Sequence, residues 1–352
     1  MQPPSILDWT FDELKQDLAE RGWLKDAARL PEQIFRGIHQ RGARELSGLV
    51  GVSTRKIARL TEAYTLAWPE LLTVQASWDQ SARYAFRLAD GSIIESVLLP
   101  HHGKWTACVS SQAGCALACQ FCATGQLGLK RNLTPGEIVA QVLLLGQHSG
   151  QRISDLVFMG MGEPLQNDRA VIKACTILSS AFGSQISPRR MVISTAGMVP
   201  AIRRYTETSH RMKLVFSLGA ADPEKRQRLM PIQKTFGFED FLSAIGDYAK
   251  SRGNKHVTLE YVAIRDVTLG QDDILAIKEN LVGRFPFILN VIPMNPVANS
   301  GLEAPTWHEV KAWSEQLRPL GFPVKVRRSA GKDQVAGCGQ LGTSLLLGAA
   351  GV

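Results

Sequence analysis

From Trp105 onward the chain alternates short apolar, β-rich runs with stretches of helical period, and it does so six times. The runs are TACVSS, DLVFMG, RMVISTAG, KLVFSLG, VTLEYVAI and FILNVIP, each followed by a helical segment. Such alternation makes neighbouring strands parallel, because each helix carries the chain back across the sheet before the next strand begins. Six units predict an α/β fold: a parallel sheet curled into a partial, TIM-like (β/α)6 barrel, with its chemistry in loops at the C-terminal strand ends. The first intervening helix is well marked. Thr134-Pro135-Gly136-Glu137 is a capping box with proline at the first helical position, ahead of the apolar IVAQVLLL.

Shorter segments flank the barrel. Over 1–75 the pattern is of short amphipathic helices: Asp8 or Thr10 can cap a segment to Arg21, and Pro31 can open another through Gly42. This predicts a small helical accessory domain. Over 76–104, RYAFRLADGSIIESVLLP places an Asp90-Gly91 turn between strands, a β-hairpin extension that carries Glu95 inside an apolar run. The barrel then occupies 105–342, and 343–352 is a tail.

With 45% apolar and 20% charged residues in 352, the chain is neither disordered nor collagen-like, and no apolar run approaches the ~18 residues of a spanning helix. MQPPSILDWTFDELK lacks a basic region followed by an apolar run, so a cytoplasmic location without a membrane partner is expected. Six cysteines in that reducing compartment point to metal or redox chemistry rather than structural disulfides. The net charge of +8 permits a polyanionic partner. Residues 5–72 balance ten basic against ten acidic residues, so the excess lies elsewhere. Between Ile186 and Lys234, Arg189, Arg190, Arg203, Arg204, Arg211, Lys213, Lys225, Arg226, Arg228 and Lys234 face only Glu207, Asp222 and Glu224. Lys325, Arg327, Arg328 and Lys332 form a second cluster. The two are expected to flank the barrel mouth and line a groove for a phosphate backbone.

Cys115-Ala-Leu-Ala-Cys119-Gln-Phe-Cys122 follows the first barrel strand. Three thiolates can wrap one face of a soft metal centre and leave a coordination position open. Structural zinc takes four ligands, commonly in two separated pairs, so a zinc site would need Cys108, Cys338 or a histidine to complete it. That alternative stays open on the residues alone. The spacing favours a cubane cluster with one iron free for a small chelating cofactor.

This CxxxCxxC after the first strand resembles the radical S-adenosylmethionine (AdoMet) superfamily. CVSSQAGCALACQFCATGQLGLKRNLTPGEI, VFMGMGEPLQN, SPRRMVISTAGMVP, RLMPI, VTLEYV and AGCGQL, spread over about Gly91 to Leu341, further resemble the RlmN/Cfr family of RNA adenosine methyltransferases. The resemblance implies a radical AdoMet barrel with a [4Fe-4S] cluster on Cys115, Cys119 and Cys122. Its open iron would hold the amino and carboxylate groups of AdoMet and cleave it to a 5′-deoxyadenosyl radical. AdoMet contacts are implied at Gly162, Glu163, Ser194, Ser217, Leu218, Gly219 and Asn295. The family usually has histidine where Gly219 stands, which would remove a side chain from the cofactor wall.

By the same resemblance Cys338 carries a methyl group from a first AdoMet, and a second AdoMet activates it, so that two are used per turnover. Cys108 would resolve the RNA adduct through a transient disulfide with Cys338. Glu95 would accept the ring proton, its pKa raised by its apolar strand. Arg327, Arg328 or Lys332 would lower the Cys338 thiol pKa if they face it. The implied substrate is adenosine C2 in 23S rRNA, with tRNA as a second substrate, and Gly162-Glu163-Pro164 leans to that branch. A C8-directed, Cfr-like enzyme, another radical AdoMet substrate, and a non-enzymatic RNA-binding protein with a structural metal are the alternatives. A monomer served by an external electron donor, flavodoxin or ferredoxin, is expected. Cys175 reads as a small buried residue, and His101-His102 as an exposed turn.

Overall fold

Three N-terminal helices, α1 (Phe11–Glu20), α2 (Leu30–His39) and α3 (Thr54–Ala63), are amphipathic, and of them α1 carries a side-chain cap. Thr10 accepts the Glu13 N–H while the Glu13 carboxylate accepts the Thr10 N–H, a complete capping box on α1. Leu14 and Leu18 turn inward from α1, and Ile34, Phe35 and Ile38 from α2. Described by a computed structural model for residues 3–25 and 27–346, these helices share their core with the rest of the chain: one apolar cluster runs from Ile6 to Leu341.

An antiparallel wing follows: β1 (Glu70–Ala76), β2 (Ala82–Arg87), β3 (Ile93–His101) and β4 (Lys104–Cys108). Asp90 and Gly91 make the expected turn between β2 and β3, with Gly91 at φ 80° and the Asp90 carboxylate accepting the Ser92 N–H at 2.9 Å. His102 sits in the exposed β3–β4 turn with φ 47°. After β4 the short antiparallel pair β5 (Gln112–Gly114) and β6 (Leu129–Asn132) brackets a one-turn helix, α4 (Ala123–Gln126). Then α5 (Pro135–Ser149) crosses back to β7 (Ile153–Phe158), which pairs parallel with β4. The Thr134–Glu137 capping box opens α5, and the Asp8 carboxylate accepts the Gly136 N–H at 2.7 Å, docking the N-terminal segment on that helix end.

The remaining units are α6 (Asp168–Ser179), β8 (Met191–Thr195), α7 (Val199–Glu207), β9 (Lys213–Gly219), α8 (Pro223–Leu229), α9 (Phe238–Ser251), β10 (Val257–Ala263), α10 (Gln271–Leu281), β11 (Phe287–Pro293), α11 (Trp307–Glu315), β12 (Val324–Val326) and α12 (Thr343–Leu346). The sheet has ten strands in the order β1-β2-β3-β4-β7-β8-β9-β10-β11-β12. The six expected parallel strands are β4 and β7 through β11, as the alternation requires. A seventh, β12, pairs parallel with β11. It lies beyond the six-unit expectation, because three residues with a lysine at the centre carry no readable period. Among the described residues no helix is long and apolar enough to cross a membrane.

The expected basic groove needs correction. Arg189 and Arg190 immediately precede β8, while Arg211 and Lys213 precede or begin β9. Residues that enter a parallel strand stand at the opposite end of the sheet from the loops that leave it, so these four lie away from the barrel mouth. Arg203 and Arg204 pair with Asp240 and Asp168, and Lys225 with Asp272 and Asp273. The Lys332 side chain lies outside the described residues.

One buried side chain fixes where the site begins. Gln141 of α5 accepts the Ser110 N–H (2.8 Å) and the Ser96 hydroxyl (2.7 Å), and donates to the Ser110 carbonyl (3.1 Å). It thereby clamps the chain leaving β4 to β3. Gln141→Ala strands buried polar groups on both partners and should lower the unfolding free energy by about 2–4 kcal/mol in urea titrations, whereas a loss below about 1 kcal/mol would show the clamp to be dispensable.

Candidate active site

A cavity of about 180 Å³ opens at the C-terminal ends of the parallel strands, lined by Cys115, Cys119 and Cys122, by Gly162, Glu163, Ser194, Ser217 and Asn295, and by Cys338. The cysteine loop is held by its backbone: the Cys115 N–H donates to the Gly128 carbonyl (3.0 Å), Cys122 to Cys119 (3.1 Å) and Gln120 to Leu229 at the end of α8 (3.0 Å). Ala118 takes a left-handed φ of 50° to turn the chain. Burial pushes the Cys115 thiol up to about 12, and Cys119 and Cys122 also rise, chiefly through burial. As free thiolates they are disfavoured, and a cationic metal centre supplies the charge that burial removes. Among the described residues no three His, Cys, Asp or Glu side chains converge on a single ion. A cubane offers a separate iron to each thiolate, so ligands standing apart around one cavity suit it.

The loop after β7 is shaped by close backbone approach. A Cβ on Gly162, at φ 100°, would lie 2.5 Å from the Gln112 Cβ, and one on Gly160 would lie 2.7 Å from the Val109 carbonyl. Glu163 is buried; its carboxylate accepts the N–H groups of Leu165 (2.9 Å) and Ala196 (2.8 Å). Burial nevertheless dominates and raises it from 4.5 to about 7.

Across the cavity the Ser194 and Ser217 hydroxyls are 3.2 Å apart, and Ser194 donates to Glu260 at 3.4 Å. Glu260 sits on β10 and lies 3.8 Å from Arg327, with its pKa raised by burial. The motif VTLEYV contains Glu260, yet the sequence alone assigns it no role. A carboxylate flanked by Leu259 and Tyr261 in a barrel strand is the signal that could have found it.

The terminal loop is stitched to the cysteine loop. Ala123 donates its N–H to the Gly339 carbonyl (2.7 Å), the Thr124 hydroxyl to Leu341 (2.6 Å), and the Asn295 amide to Cys338 (3.0 Å). All six cysteines are free, and Cys338 alone is exposed, the surface it shows being cavity wall. A second cavity of about 50 Å³ lies beside the first, lined by Cys108, Cys338 and Arg327. Arg327 is the cation that faces these thiols, whereas Arg328 stacks over Trp307 at 5.0 Å. The expected lowering of Cys338 is corrected: burial outweighs Arg327 and the thiol rises, and Cys108 is pushed up to about 12. Cys175 is buried, as the sequence implies.

Glu95 is fully buried on β3, but it is not isolated among apolar groups as its strand suggests. Arg83 from the neighbouring β2 pairs with it at 2.9 Å, the Ser344 hydroxyl donates at 3.0 Å, and the Gly342 N–H donates at 2.8 Å. The strand supplies the apolar setting, while β2 and the terminal segment bring the partners.

Position 219 differs from expectation in a similar way. Leu218 packs into the core, and neither it nor Gly219 lines the cavity, whereas Met230 does. Gly219 has φ 71°, and a Cβ there would lie 2.5 Å from the Met230 Sδ. The wall expected to lack a side chain is filled by a thioether.

Gly219→Ala should destabilise the protein by about 1–3 kcal/mol through the left-handed backbone and the Met230 contact. Combined with Met230→Ala, it should cost less than the sum of the single changes, and strict additivity in a double-mutant cycle would disprove the contact. Glu163 binds its proton more tightly folded than unfolded, so its contribution is complete below pH 4.5 and declines as pH rises through about 7. Metal-free protein should lose on the order of 3 kcal/mol across that window through this group. Glu163→Gln should flatten that part of the slope in urea midpoints measured against pH.

Residues 109–276 match the Radical SAM superfamily. The dual-specificity RNA methyltransferase RlmN of a Nitratiruptor species is 36% identical over 355 residues, covering 96% of this chain and 97% of that protein. Its counterpart in Nitratidesulfovibrio vulgaris (strain DP4) is 37% identical over 354 residues, covering 97% and 95%. A crystal structure of a radical SAM methyltransferase from Sphaerobacter thermophilus superposes with a TM-score of 0.90 at 33% identity, over 96% of this chain and 99% of that one. With the cysteine loop, the Gly-Glu loop and the terminal cysteine all gathered at the barrel mouth, the chain belongs to the RlmN family of radical SAM RNA methyltransferases.

Proposed function

We propose that this protein methylates C2 of adenosine in 23S rRNA and in tRNA, with Cys338 as the methyl carrier and two AdoMet molecules used per turnover. The observation that carries the reading is the position of Cys338 on the shared wall of two cavities, one holding Cys115, Cys119 and Cys122 and the other Cys108. A carrier must meet both the source of its methyl group and the thiol that later frees it. The words "dual-specificity" and "RlmN" in the relatives' names support two RNA substrates, and Gly162-Glu163-Pro164 supports the C2 branch.

When bound, the [4Fe-4S] cluster and AdoMet supply a methyl group and the one-electron chemistry that removes hydrogen from an unreactive carbon. Cys115, Cys119 and Cys122 hold the cluster. Glu163, acceptor-only when ionised, receives an ammonium group, while Ser194, Ser217 and Asn295 offer polar atoms around the same cavity and Met230 closes the wall in front of Leu218 and Gly219. Cys338 takes the methyl group on sulfur, its thiolate form favoured by Arg327 against burial. Glu95 accepts the proton displaced from the adenine ring once Gly342 and Ser344 release its carboxylate. The Cys108 thiolate then attacks the Cys338 sulfur of the RNA adduct, forming a disulfide as the sulfur–carbon bond breaks, and the released carbon keeps that bond's electron pair and takes a proton from solvent to become the methyl group. An external reductant restores both thiols, and flavodoxin or ferredoxin delivers electrons to a monomeric enzyme. Extruding the adenine from its stack brings C2 within reach.

The test uses anaerobically reconstituted protein, 23S rRNA, and AdoMet whose methyl bears three deuteriums. Digested nucleosides should contain 2-methyladenosine retaining two deuteriums, and Cys338→Ala should yield none. Full retention of the label, or product from Cys338→Ala, would refute the carrier. Label at C8 would move the enzyme to the other regiochemistry.

A further inference from the structure

Arg226 heads the fully buried side chains by volume, with 1% exposure. Its guanidinium donates to three neutral acceptors: Nε to the Leu218 carbonyl (2.9 Å), Nη2 to the Ala196 carbonyl (2.7 Å) and Nη1 to Gln233 Oε1 (3.0 Å). The ring of Phe241 covers one face, its centroid 4.3 Å from Cζ. These partners satisfy hydrogen bonds without cancelling charge, and among the described residues no carboxylate forms an ion pair with Arg226. Removing a whole positive charge from water without an anion is costly, and buried charges in folded proteins are paired or bound to metal centres.

The missing anion has a position. Arg226 lies on α8, and the last residue of that helix, Leu229, accepts the Gln120 N–H from the cysteine loop. Leu229 and Met230 also pack with Cys115 in one small apolar cluster. Cys119 is the titratable group that interacts electrostatically with the guanidinium. Arg226 does not line the cavity, so it stands behind the wall rather than touching anything bound there. Three thiolates around a cubane core make an anionic assembly, and one-electron reduction makes it more so.

We propose that Arg226 is the buried counter-cation of the cluster held by Cys115, Cys119 and Cys122, and that it raises the reduction potential of that cluster. The inference rests on the cluster assignment made under Proposed function. A cation in a low-dielectric wall stabilises the more negative, reduced state over the oxidised one. It acts through charge at a distance, so its role is separable from the hydrogen bonds that tie Leu218 and Ala196 together.

The experiment compares reconstituted wild-type protein with Arg226→Gln, Arg226→Lys and Gln233→Glu, measuring iron content and the midpoint potential by EPR-monitored titration. Arg226→Gln removes the charge, and at a fixed donor potential the ratio of reduced to oxidised cluster should fall about tenfold, or ~59 mV for one electron. Arg226→Lys keeps the charge but not the fork and should stay near wild type. Gln233→Glu keeps Arg226 and its acceptor but adds a carboxylate beside it, so its potential should fall in the same direction even if Arg226→Gln does not fold. An unchanged potential in Arg226→Gln or Gln233→Glu would overturn the proposal, as would an Arg226→Lys shift as large as that of Arg226→Gln, because both point to a purely structural arginine. A wild-type protein that takes up no cluster under these conditions would remove the cluster assignment as well, whereas a loaded wild type with indifferent variants removes only the role of Arg226.

Discussion

Parallel strands deliver all their exit loops to one end of the sheet, and the placement of this chain's reactive groups depends on that directional constraint. Cys115 follows β4, Glu163 follows β7, Ser194 ends β8, Ser217 lies late in β9, and Asn295 follows β11. They meet at one cavity although 180 residues separate the first from the last. The same rule sends Arg189, Arg190, Arg211 and Lys213 to the other end, where the C-termini of the crossing helices favour cations. Charge density along a sequence therefore does not translate into charge density around a site until strand direction is applied to each residue.

The terminal segment is the exception, since no crossover helix places it. It reaches the barrel through specific polar ties: Gly339 to Ala123, Leu341 to Thr124, Cys338 to Asn295, and Gly342 and Ser344 to Glu95. Glycines make this approach possible. A Cβ on Gly337 would lie 2.5 Å from the Asn295 amide, and one on Gly339 2.7 Å from the Phe121 carbonyl. One short stretch thus sets the position of the exposed thiol and covers the buried carboxylate, so motion that frees Glu95 also acts on the loop that carries Cys338.

Much of this was legible in the sequence because its signals are local and periodic. The strands β9 and β11 coincide with the runs KLVFSLG and FILNVIP, and the Thr134 capping box is visible in four residues. The residues gathered at the mouth were legible through long motifs rather than through periodicity. What stayed hidden was pairwise and non-local. Arg83 lies twelve positions from Glu95 on another strand, and its partnership follows from the register of β2 against β3. Met230 fills the space beside Gly219 because α8 folds back on β9, which no pattern in RLMPI reveals. Cys338 illustrates a competition of effects: Arg327 does face it, yet burial decides the direction of the shift.

The buried charges around the mouth differ in what balances them. Glu95 has Arg83 and two further donors. Glu260 has Arg327 and Ser194. Glu163 has two backbone N–H donors and the Thr195 hydroxyl but no cation, and its pKa climbs toward neutrality, as expected of a carboxylate whose cationic partner arrives with a ligand. Arg226 has only neutral acceptors and the face of Phe241. A carboxylate short of a cation at the cavity wall and a guanidinium short of an anion behind the cysteine loop are complementary deficits. On the proposed assignment, one occupancy that places an ammonium against Glu163 and an anionic thiolate-bound centre before Arg226 would remove both. On that assignment cofactor binding would relieve both deficits, and folding and cofactor uptake would be thermodynamically linked through these two residues.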